Sequence, residues 1–201
     1  MDVREQLLEA TMRVFSEAGW RGATTRRIAQ VAGVSEVTLF RQFGSKESLI
    51  HEAMRCGEQG LATRALPDEP VDPVEELLTW GKAHFEKMVH GRSFIRRTIG
   101  EHEEHPEVGH TATRGSVEAA RALAAYFEKL QRSGRASAEV DPWVAVNVLV
   151  GALFLDAISR DVMPERFPYP QDEAPQLYVT AVLRVLGVSV SDFVSRSGPG
   201  S

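Results

Sequence analysis

A short basic segment of the chain carries the side chains best suited to binding a nucleic acid. Between Arg21 and Lys46 it holds five basic residues and one acidic residue, a local charge of +4, whereas the 201-residue chain as a whole carries −5. Clustered basic side chains attract a polyanion, and hydroxyl groups bind its phosphates. An arginine can also bind guanine through two hydrogen bonds, which contribute about 1 to 3 kcal/mol of discrimination. The segment therefore predicts DNA recognition, with Arg41 as the best candidate for a base contact and Arg26 as a source of long-range attraction.

Two short helices are predicted to position these side chains. Thr24 and Ser35 stand where a hydroxyl group caps the start of a helix, and Gly33 suits the left-handed backbone of a tight turn between them. The pair needs a hydrophobic face from elsewhere, which an amphipathic helix over residues 2–18 would supply. This spacing predicts a helix-turn-helix over residues 24–43, whose second helix enters the major groove. Its outward residues would be Glu36, Val37, Thr38, Arg41 and Gln42.

Helical spacing of apolar residues recurs along the whole chain, and no strand-like alternation stands out. We therefore predict an all-α fold, with further helices beginning at about residues 45, 74, 93, 116, 143 and 175. Three prolines between Pro67 and Pro73 mark the clearest break in composition. The expected organisation is an N-terminal domain at residues 1–62, a second helical domain at 63–190, and a Ser/Gly-rich disordered tail at 191–201.

The composition argues against a secreted or a membrane protein. The single cysteine, Cys56, cannot form an internal disulfide, and the first residues lead into an amphipathic helix pattern rather than a signal peptide. The longest apolar run, at 143–155, is shorter than the roughly 18 to 20 residues that a membrane span needs. We expect a cytoplasmic protein with no membrane partner.

Three histidines, His102, His105 and His110, resemble metal ligands at first sight. A zinc-protease motif needs two histidines four residues apart with a glutamate between them, whereas His102 and His105 are three apart and Pro106 follows. We expect a solvated acidic turn here, with no metal and no cofactor. No other spacing brings together a nucleophile, a base and an orienting group, so an enzyme is not expected. A metal-dependent enzyme built on His102 is the remote alternative.

A longer sequence pattern runs through the basic segment and into the next helix. It comprises Gly33-Val34-Ser35, Thr38-Leu39-Phe40 and Phe43-Gly44-Ser45-Lys46-Glu47-Ser48-Leu49. In this pattern, residues 1 to about 62 resemble the three-helix DNA-binding domain of the tetracycline-repressor (TetR) family of bacterial transcriptional regulators. The resemblance implies that the DNA backbone is held by Thr24, Thr25, Ser35 and Lys46, and that base edges or nearby phosphates are faced by Glu36, Val37, Thr38 and Arg41. The family usually has tyrosine in place of Phe40, and the tyrosine hydroxyl contacts a phosphate. This chain lacks that hydrogen bond. At the position of Gln42 the family often has histidine or tyrosine.

The resemblance also implies a fold and a mode of action for the rest of the chain. Residues 63–190 would form an effector-binding and dimerisation domain, in which the helices at 143–159 and 175–186 build the interface of a homodimer. Burial of the first of these helices within one subunit is the competing interpretation. A dimer would place two recognition helices about 34 Å apart and require a palindromic operator. We expect a nucleoid-associated repressor that a small ligand releases; the alternative is a regulator or activator that needs no ligand or responds to a protein partner.

Aromatic and isolated polar side chains near the inward helix faces are candidates to line the effector pocket. Ordinary core packing is the competing interpretation for most of them. Because aromatic residues make up only 7% of the chain and aliphatic residues are many, the effector is expected to be hydrophobic or amphipathic. The candidates are Trp80, His84, Met88, Phe94, Arg97, Tyr126, Phe127, Asn147 and Phe154.

Overall fold

The computed structural model describes residues 2–60, 65–106 and 113–190 of the chain. Within these ranges the chain forms nine α-helices, one short 3-10 helix at Pro164–Arg166 and no strand, so the predicted all-α fold is confirmed. The α-helices are α1 (Val3–Gly22), α2 (Thr25–Ala32), α3 (Glu36–Phe43), α4 (Lys46–Gly60), α5 (Pro73–His90), α6 (Arg92–Glu101), α7 (Arg114–Arg132), α8 (Pro142–Ser159) and α9 (Ala174–Val185). The tail at 191–201 lies outside the described residues.

Two compact units make up the chain. The first comprises the described residues of Met1–Ala62 and of His90–Ser116, and so contains α1 to α4 and α6. The second comprises the described residues of Thr63–Val89 and of Val117–Ser201, and contains most of α5 and α7 with all of α8 and α9. The expected domain limits at residues 62 and 63 follow the order of the chain and stay a prediction. In the structure, α6 comes after residue 63 in the sequence but packs on α1 inside the first unit.

The first unit is built around the hydrophobic face of α1, as the amphipathic pattern predicts. Leu7, Val14 and Phe15 of α1 are almost completely buried, and they share a core with Ile28 of α2 and Leu39 of α3. Leu49 and Ile50 add the inner face of α4 to the same cluster. Each fully buried side chain of this kind contributes about 1.5 to 3 kcal/mol relative to exposure. The helix-turn-helix is therefore held in place by α1 and α4.

Gly19 interrupts α1 without ending it. The sequence predicts that the helix stops at Ala18, but helical backbone resumes beyond the glycine and reaches Gly22. Gly19 has φ 67° and ψ −170°, a combination that is essentially restricted to glycine. The kink makes room for the carboxylate of Glu101, which accepts a hydrogen bond from the backbone N–H of Trp20 at 3.2 Å. Residues that are 81 positions apart in the sequence thus meet at this turn.

A buried ionic and hydroxyl network fixes the end of α8 against α9 in the second unit. Asp156 is fully buried, and its two oxygens accept hydrogen bonds from Arg160 at 2.7 Å each. The same carboxylate accepts a third from Tyr178 on α9 at 2.8 Å. Arg160 also donates to the carbonyls of Phe167 and Tyr169, which close the connecting loop. Because every polar group of Asp156 is paired, its burial is tolerated.

The start of α8 agrees with the sequence prediction. The backbone N–H of Val144 donates to the Asp141 side chain at 3.0 Å, and Pro142 occupies the first helical turn. At 18 residues, α8 is longer than its run of apolar residues, and by length and composition alone it could cross a membrane. One helix of this kind is weak support for a membrane span, because core helices have the same properties.

Candidate nucleic-acid interface

The turn between α2 and α3 has the geometry that its capping residues predict. The Thr24 hydroxyl accepts a hydrogen bond from the backbone N–H of Arg27, and the Ser35 hydroxyl accepts one from that of Thr38, each at 3.2 Å. Gly33 ends α2 in the left-handed region at φ 71° and ψ 27°. The backbone N–H of Val34 then donates to Ala29 at 3.0 Å, which closes the turn. The helix-turn-helix expected at 24–43 is confirmed.

One face of α3 is buried and the opposite face is open to solvent. Leu39 and Phe43 point into the core of the first unit, whereas Val37, Arg41 and Gln42 are exposed. Around an α-helix, at about 100° per residue, Arg41 lies opposite the midpoint of the two buried side chains. The α3 surface can therefore enter a groove of DNA without disturbing the core.

The ten candidate DNA contacts fall into two groups by exposure. The exposed group is free to meet a duplex and consists of Thr24, Arg26, Ser35, Val37, Arg41 and Gln42. The half-buried group is already engaged inside the protein and consists of Thr25, Glu36, Thr38 and Lys46. All ten belong to the first unit. Their roles toward DNA stay predictions, and the internal contacts of the second group refine them.

Thr25 and Glu36 contact each other. The Thr25 hydroxyl donates to the Glu36 carboxylate at 2.7 Å, which joins the first turns of α2 and α3. The sequence predicts a separate DNA contact for each of these side chains. It could not predict their contact with each other, because a contact across the turn leaves no periodic signal in the sequence. In the structure the pair fixes how the two helices begin relative to each other.

Lys46 lies against the end of α1. Its ammonium donates to the carbonyl of Trp20 at 2.5 Å and lies 5.0 Å from the centre of the Trp20 ring. Burial lowers the pKa of this lysine, although the nearby carboxylates of Glu47 and Glu101 act in the opposite direction. For Lys46 to hold a phosphate as expected, its ammonium has to share or leave the Trp20 carbonyl.

The basic side chains of the segment differ in how far they are neutralised. Arg27 pairs with Glu17 at 2.8 Å and Arg21 pairs with Glu104 at 2.9 Å. By contrast, Arg26 and Arg41 are exposed, and neither forms an ion pair with a residue in the described part of the chain. The charge available to a polyanion therefore concentrates on α2 and α3.

The candidate effector residues do not all come together. Trp80, His84 and Met88 are buried along one face of α5, where the Trp80 and His84 rings stack at 4.6 Å. Tyr126 and Phe127 of α7 are buried in the same unit. Asn147 is exposed and Phe154 is half-buried on α8.

Phe94 and Arg97 lie in the other unit from this group. Phe94 packs on Phe15 at 5.7 Å, and Arg97 donates to the carbonyl of Glu17 at 3.2 Å. Both residues are on α6, which packs on α1, and the interrupted pattern at Pro106 gave no sign of that packing. Their expected place in an effector pocket stays a prediction.

The α5 face contains an unusual buried histidine. His84 is 6% exposed, and its Nδ1 atom has no hydrogen-bond partner among the described residues. Burial, together with the positive charge of Lys87, lowers the pKa of His84 to about 4, so the ring is neutral near pH 7. Tyr126 of α7 donates a hydrogen bond to Glu76 of α5, and Glu76 and Trp80 line a cavity of about 480 Å³. Its lining comprises Ala65, Pro67, Glu75, Glu76, Thr79 and Trp80.

Of the three histidines after α6, the structure describes His102 and His105. His102 is exposed, whereas His105 stacks on Trp20 at 4.7 Å. The third member, His110, lies outside the described residues. Across residues 2–60, 65–106 and 113–190, no group of three or more His, Cys, Asp or Glu side chains is arranged to hold a metal ion.

The sequence is similar to known regulators in its N-terminal part. Residues 7–53 match the family model described as bacterial regulatory proteins, tetR family. The HTH-type transcriptional regulator YvkB of Bacillus subtilis (strain 168) is 31% identical over 97 residues, which are 48% of this chain and 51% of that protein. The HTH-type transcriptional repressor KstR2 of Mycobacterium tuberculosis is 35% identical over 89 residues, 43% of this chain and 44% of that protein. The alignments thus span about half the length of these curated relatives.

Solved structures with the same fold cover nearly all of the chain. The TetR family transcriptional regulator PfmR from Thermus thermophilus has a TM-score of 0.65 and 25% identity, covering 89% of this chain and 97% of its own. Salmonella enterica GusR has a TM-score of 0.70 and 22% identity, covering 92% and 95%. The helical fold therefore extends beyond the region in which the sequences align.

Proposed function

The chain belongs to the tetR family of bacterial regulatory proteins, and from this premise we propose that it is a sequence-specific DNA-binding repressor that acts as a homodimer. The observation that carries the proposal is the exposed face of α3, where Val37 and Arg41 stand opposite the buried Leu39 and Phe43 and Gln42 is exposed beside them. A recognition helix of this kind reads base edges in the major groove. The names of the relatives, KstR2 among them, support repression.

Phosphate contacts would come from the starts of the two helices. The Thr24 and Ser35 hydroxyls are exposed at the N-terminal caps of α2 and α3, next to backbone N–H groups that carry partial positive charge. The guanidinium of Arg26, which forms no ion pair among the described residues, adds attraction that does not depend on sequence. Arg41 is placed to distinguish bases, because it lies at the centre of the exposed α3 face.

An apolar stripe on the last two helices supports the homodimer. On α8, Val144 and Val148 are exposed, and a Cβ added at Gly151 would meet nothing within 4 Å. On α9, Leu177 and Val185 are also exposed. Large apolar patches on soluble proteins mark interaction sites, and a two-fold axis would bury the same stripe on both copies. The operator is then a palindrome with half-sites about one helical turn apart.

A small effector would bind in the second unit, near the buried face of α5. The Nδ1 atom of the neutral His84 ring, which has no hydrogen-bond partner in the described part of the chain, lies beside Trp80 in apolar surroundings. This composition suits a hydrophobic or amphipathic molecule that carries one polar group. Its binding would release the operator by favouring another arrangement of the dimer. Such a repressor works in the cytoplasm, at the nucleoid.

Selection of bound sequences from random duplex DNA tests the proposal. The purified 201-residue protein should enrich a palindromic motif whose half-site centres lie about 10 base pairs apart. Arg26→Ala serves as the control, because loss of a phosphate contact weakens binding to all sequences similarly and lowers the salt dependence by about one unit of slope. Failure to enrich any motif at moderate salt would contradict the proposed function.

If a motif emerges that no small molecule releases, the alternative within the family gains support. That alternative is a regulator without a ligand, or an activator under the control of a protein partner. The two possibilities share the DNA-binding face and differ only in the second unit. A screen for amphipathic compounds that release the protein from the selected duplex distinguishes the two possibilities.

A further inference from the structure

Two large apolar side chains are exposed on the short helix α3. Val37 is 77% exposed and Phe40 is 46% exposed. Among the described residues of the first unit, the only other large hydrophobic side chain with comparable exposure is Ile99 on α6. Valine is also a weak helix former, so Val37 gains neither burial nor helix propensity at this position. Its presence there is not explained by the stability of the domain.

The position of Val37 places it among the atoms that would meet a base edge. It lies in the first turn of α3, and recognition helices contact bases mainly through their N-terminal residues. Around the helix, Val37 is about 40° from Arg41, which marks the centre of the exposed face. The valine methyl groups therefore lie on the same outward surface as the candidate base contact.

The polar neighbours of Val37 are held by other residues of the turn. The Glu36 carboxylate accepts the hydrogen bond from Thr25, and the Thr38 hydroxyl lies 2.9 Å from that of Ser35. These contacts turn both polar groups toward the caps of α2 and α3. In the first turn of α3, the side chain that remains directed outward is therefore the aliphatic Val37.

We propose that Val37 is a specificity-determining residue that contacts the C5-methyl group of a thymine in each operator half-site. The inference rests on the proposed function and adds the base chemistry that one position of the operator must have. In the major groove, thymine alone presents a methyl group, and apolar side chains are its usual contacts. A cytosine amino group or a guanine oxygen against Val37 would lose water without gaining a hydrogen bond, which disfavours those bases.

Uracil substitution tests this contact without altering base pairing. In the selected palindromic duplex, each thymine is replaced by deoxyuridine, one symmetric pair at a time, and the dissociation constant is measured. Burial of one methyl group per half-site predicts that a single symmetric replacement weakens wild-type binding about 15-fold, or about 4-fold per half-site. The Val37→Ala variant should bind the thymine and uracil duplexes of that pair within about 2-fold of each other.

Two controls keep the result interpretable. Val37→Ala should leave the thermal midpoint unchanged or slightly higher, since alanine is the better helix former and no packing is lost. Val71→Ala changes an 81% exposed valine in the second unit and should keep the full uracil effect. If no replacement weakens the wild type in a way that Val37→Ala abolishes, the inference is wrong while the operator motif stands. Absence of any motif would instead contradict the proposed function.

Discussion

Replacement of Gly19 by alanine should destabilise the first unit, because two separate costs arise at this turn. An added Cβ would lie 2.1 Å from Oε1 of Glu101, far inside van der Waals contact. The backbone at φ 67° and ψ −170° is strained for any residue with a side chain, at about 1 to 3 kcal/mol. Displacement of Glu101 also loses its hydrogen bond to the Trp20 N–H, worth about 1 kcal/mol. The expected loss is about 2 to 4 kcal/mol.

Thermal and urea denaturation, followed by circular dichroism at fixed protein concentration, measure this loss. For a chain of this size, 1 kcal/mol lowers the melting temperature by roughly 2 to 4 °C, so a decrease of about 5 to 15 °C is expected. Gly100→Ala is the matched control. Its Cβ would meet nothing within 4 Å, and a helical glycine replaced by alanine gains about 0.5 to 1 kcal/mol.

A double substitution separates the two costs. Glu101→Ala in the Gly19→Ala background removes the overlapping carboxylate and leaves the backbone strain. The Gly19→Ala change should therefore cost less free energy of unfolding in the Glu101→Ala background than in the wild type. A cost should remain there, because the strained backbone is unchanged. Equal stability of Gly19→Ala and wild type, within about 0.5 kcal/mol, would refute the account of this turn.

Three further predictions concern the second unit. Asp156→Ala leaves the nearly buried guanidinium of Arg160 without its carboxylate, and urea denaturation should show a loss of about 3 kcal/mol in the free energy of unfolding. Asp156→Asn should lose less, and equal losses in the two variants would contradict the ionic role. Because the folded pKa of His84, about 4, lies below its ordinary value of 6.5, the unfolded state binds the extra proton, and stability should fall as pH drops from 6.5 to 4 by up to about 3 kcal/mol. His84→Phe should flatten that pH profile, and an unchanged slope would assign it to other groups. Val148→Arg on the apolar stripe should give monomers in sedimentation, whereas Val117→Arg, at an exposed position on α7, should leave the dimer intact; a dimeric Val148→Arg would place the interface elsewhere.

The sequence predicts well those features that depend on nearby residues. Hydroxyl caps at Thr24 and Ser35, the left-handed turn at Gly33 and the Asp141-Pro142 start of α8 all follow from local backbone chemistry. The inward face of α1 also follows from the spacing of its apolar residues. For this reason the helix starts in the structure agree with the predicted ones to within two residues.

Contacts between distant residues were not predictable in the same way. Glu101 reaches the kink at Gly19, and Lys46 reaches the Trp20 carbonyl, through packing of α6 and α4 on α1. Neither contact leaves a periodic trace in the sequence. Phe94 illustrates the consequence, since its packing on Phe15 could not be predicted from its spacing.

The candidate interface was predictable in position and less so in detail. Residue types and caps predicted Val37, Arg41 and Gln42 as outward, and these side chains are exposed, whereas Glu36 and Thr38, also predicted as outward, are half-buried. Residue types and caps could not show that Thr25 and Glu36 bind each other or that Arg27 pairs with Glu17. Thr25, Glu36 and Arg27 thus have partners inside the protein, whereas the exposed Arg26 and Arg41 form no ion pair within the described part of the chain.

A base-pair scan of the selected operator with wild-type protein and Arg41→Ala tests the central claim, that α3 reads DNA sequence. Each base pair of one half-site is changed together with its symmetry mate in the other half-site. The affinities of both proteins for each altered duplex are measured at constant salt. At one symmetric G·C pair, wild type should lose roughly 5- to 150-fold per half-site, as expected for a two-hydrogen-bond arginine contact, and Arg41→Ala should discriminate little there. If Arg41→Ala keeps the full discrimination at every pair and weakens binding only uniformly, α3 does not read the operator through Arg41 and the account is contradicted.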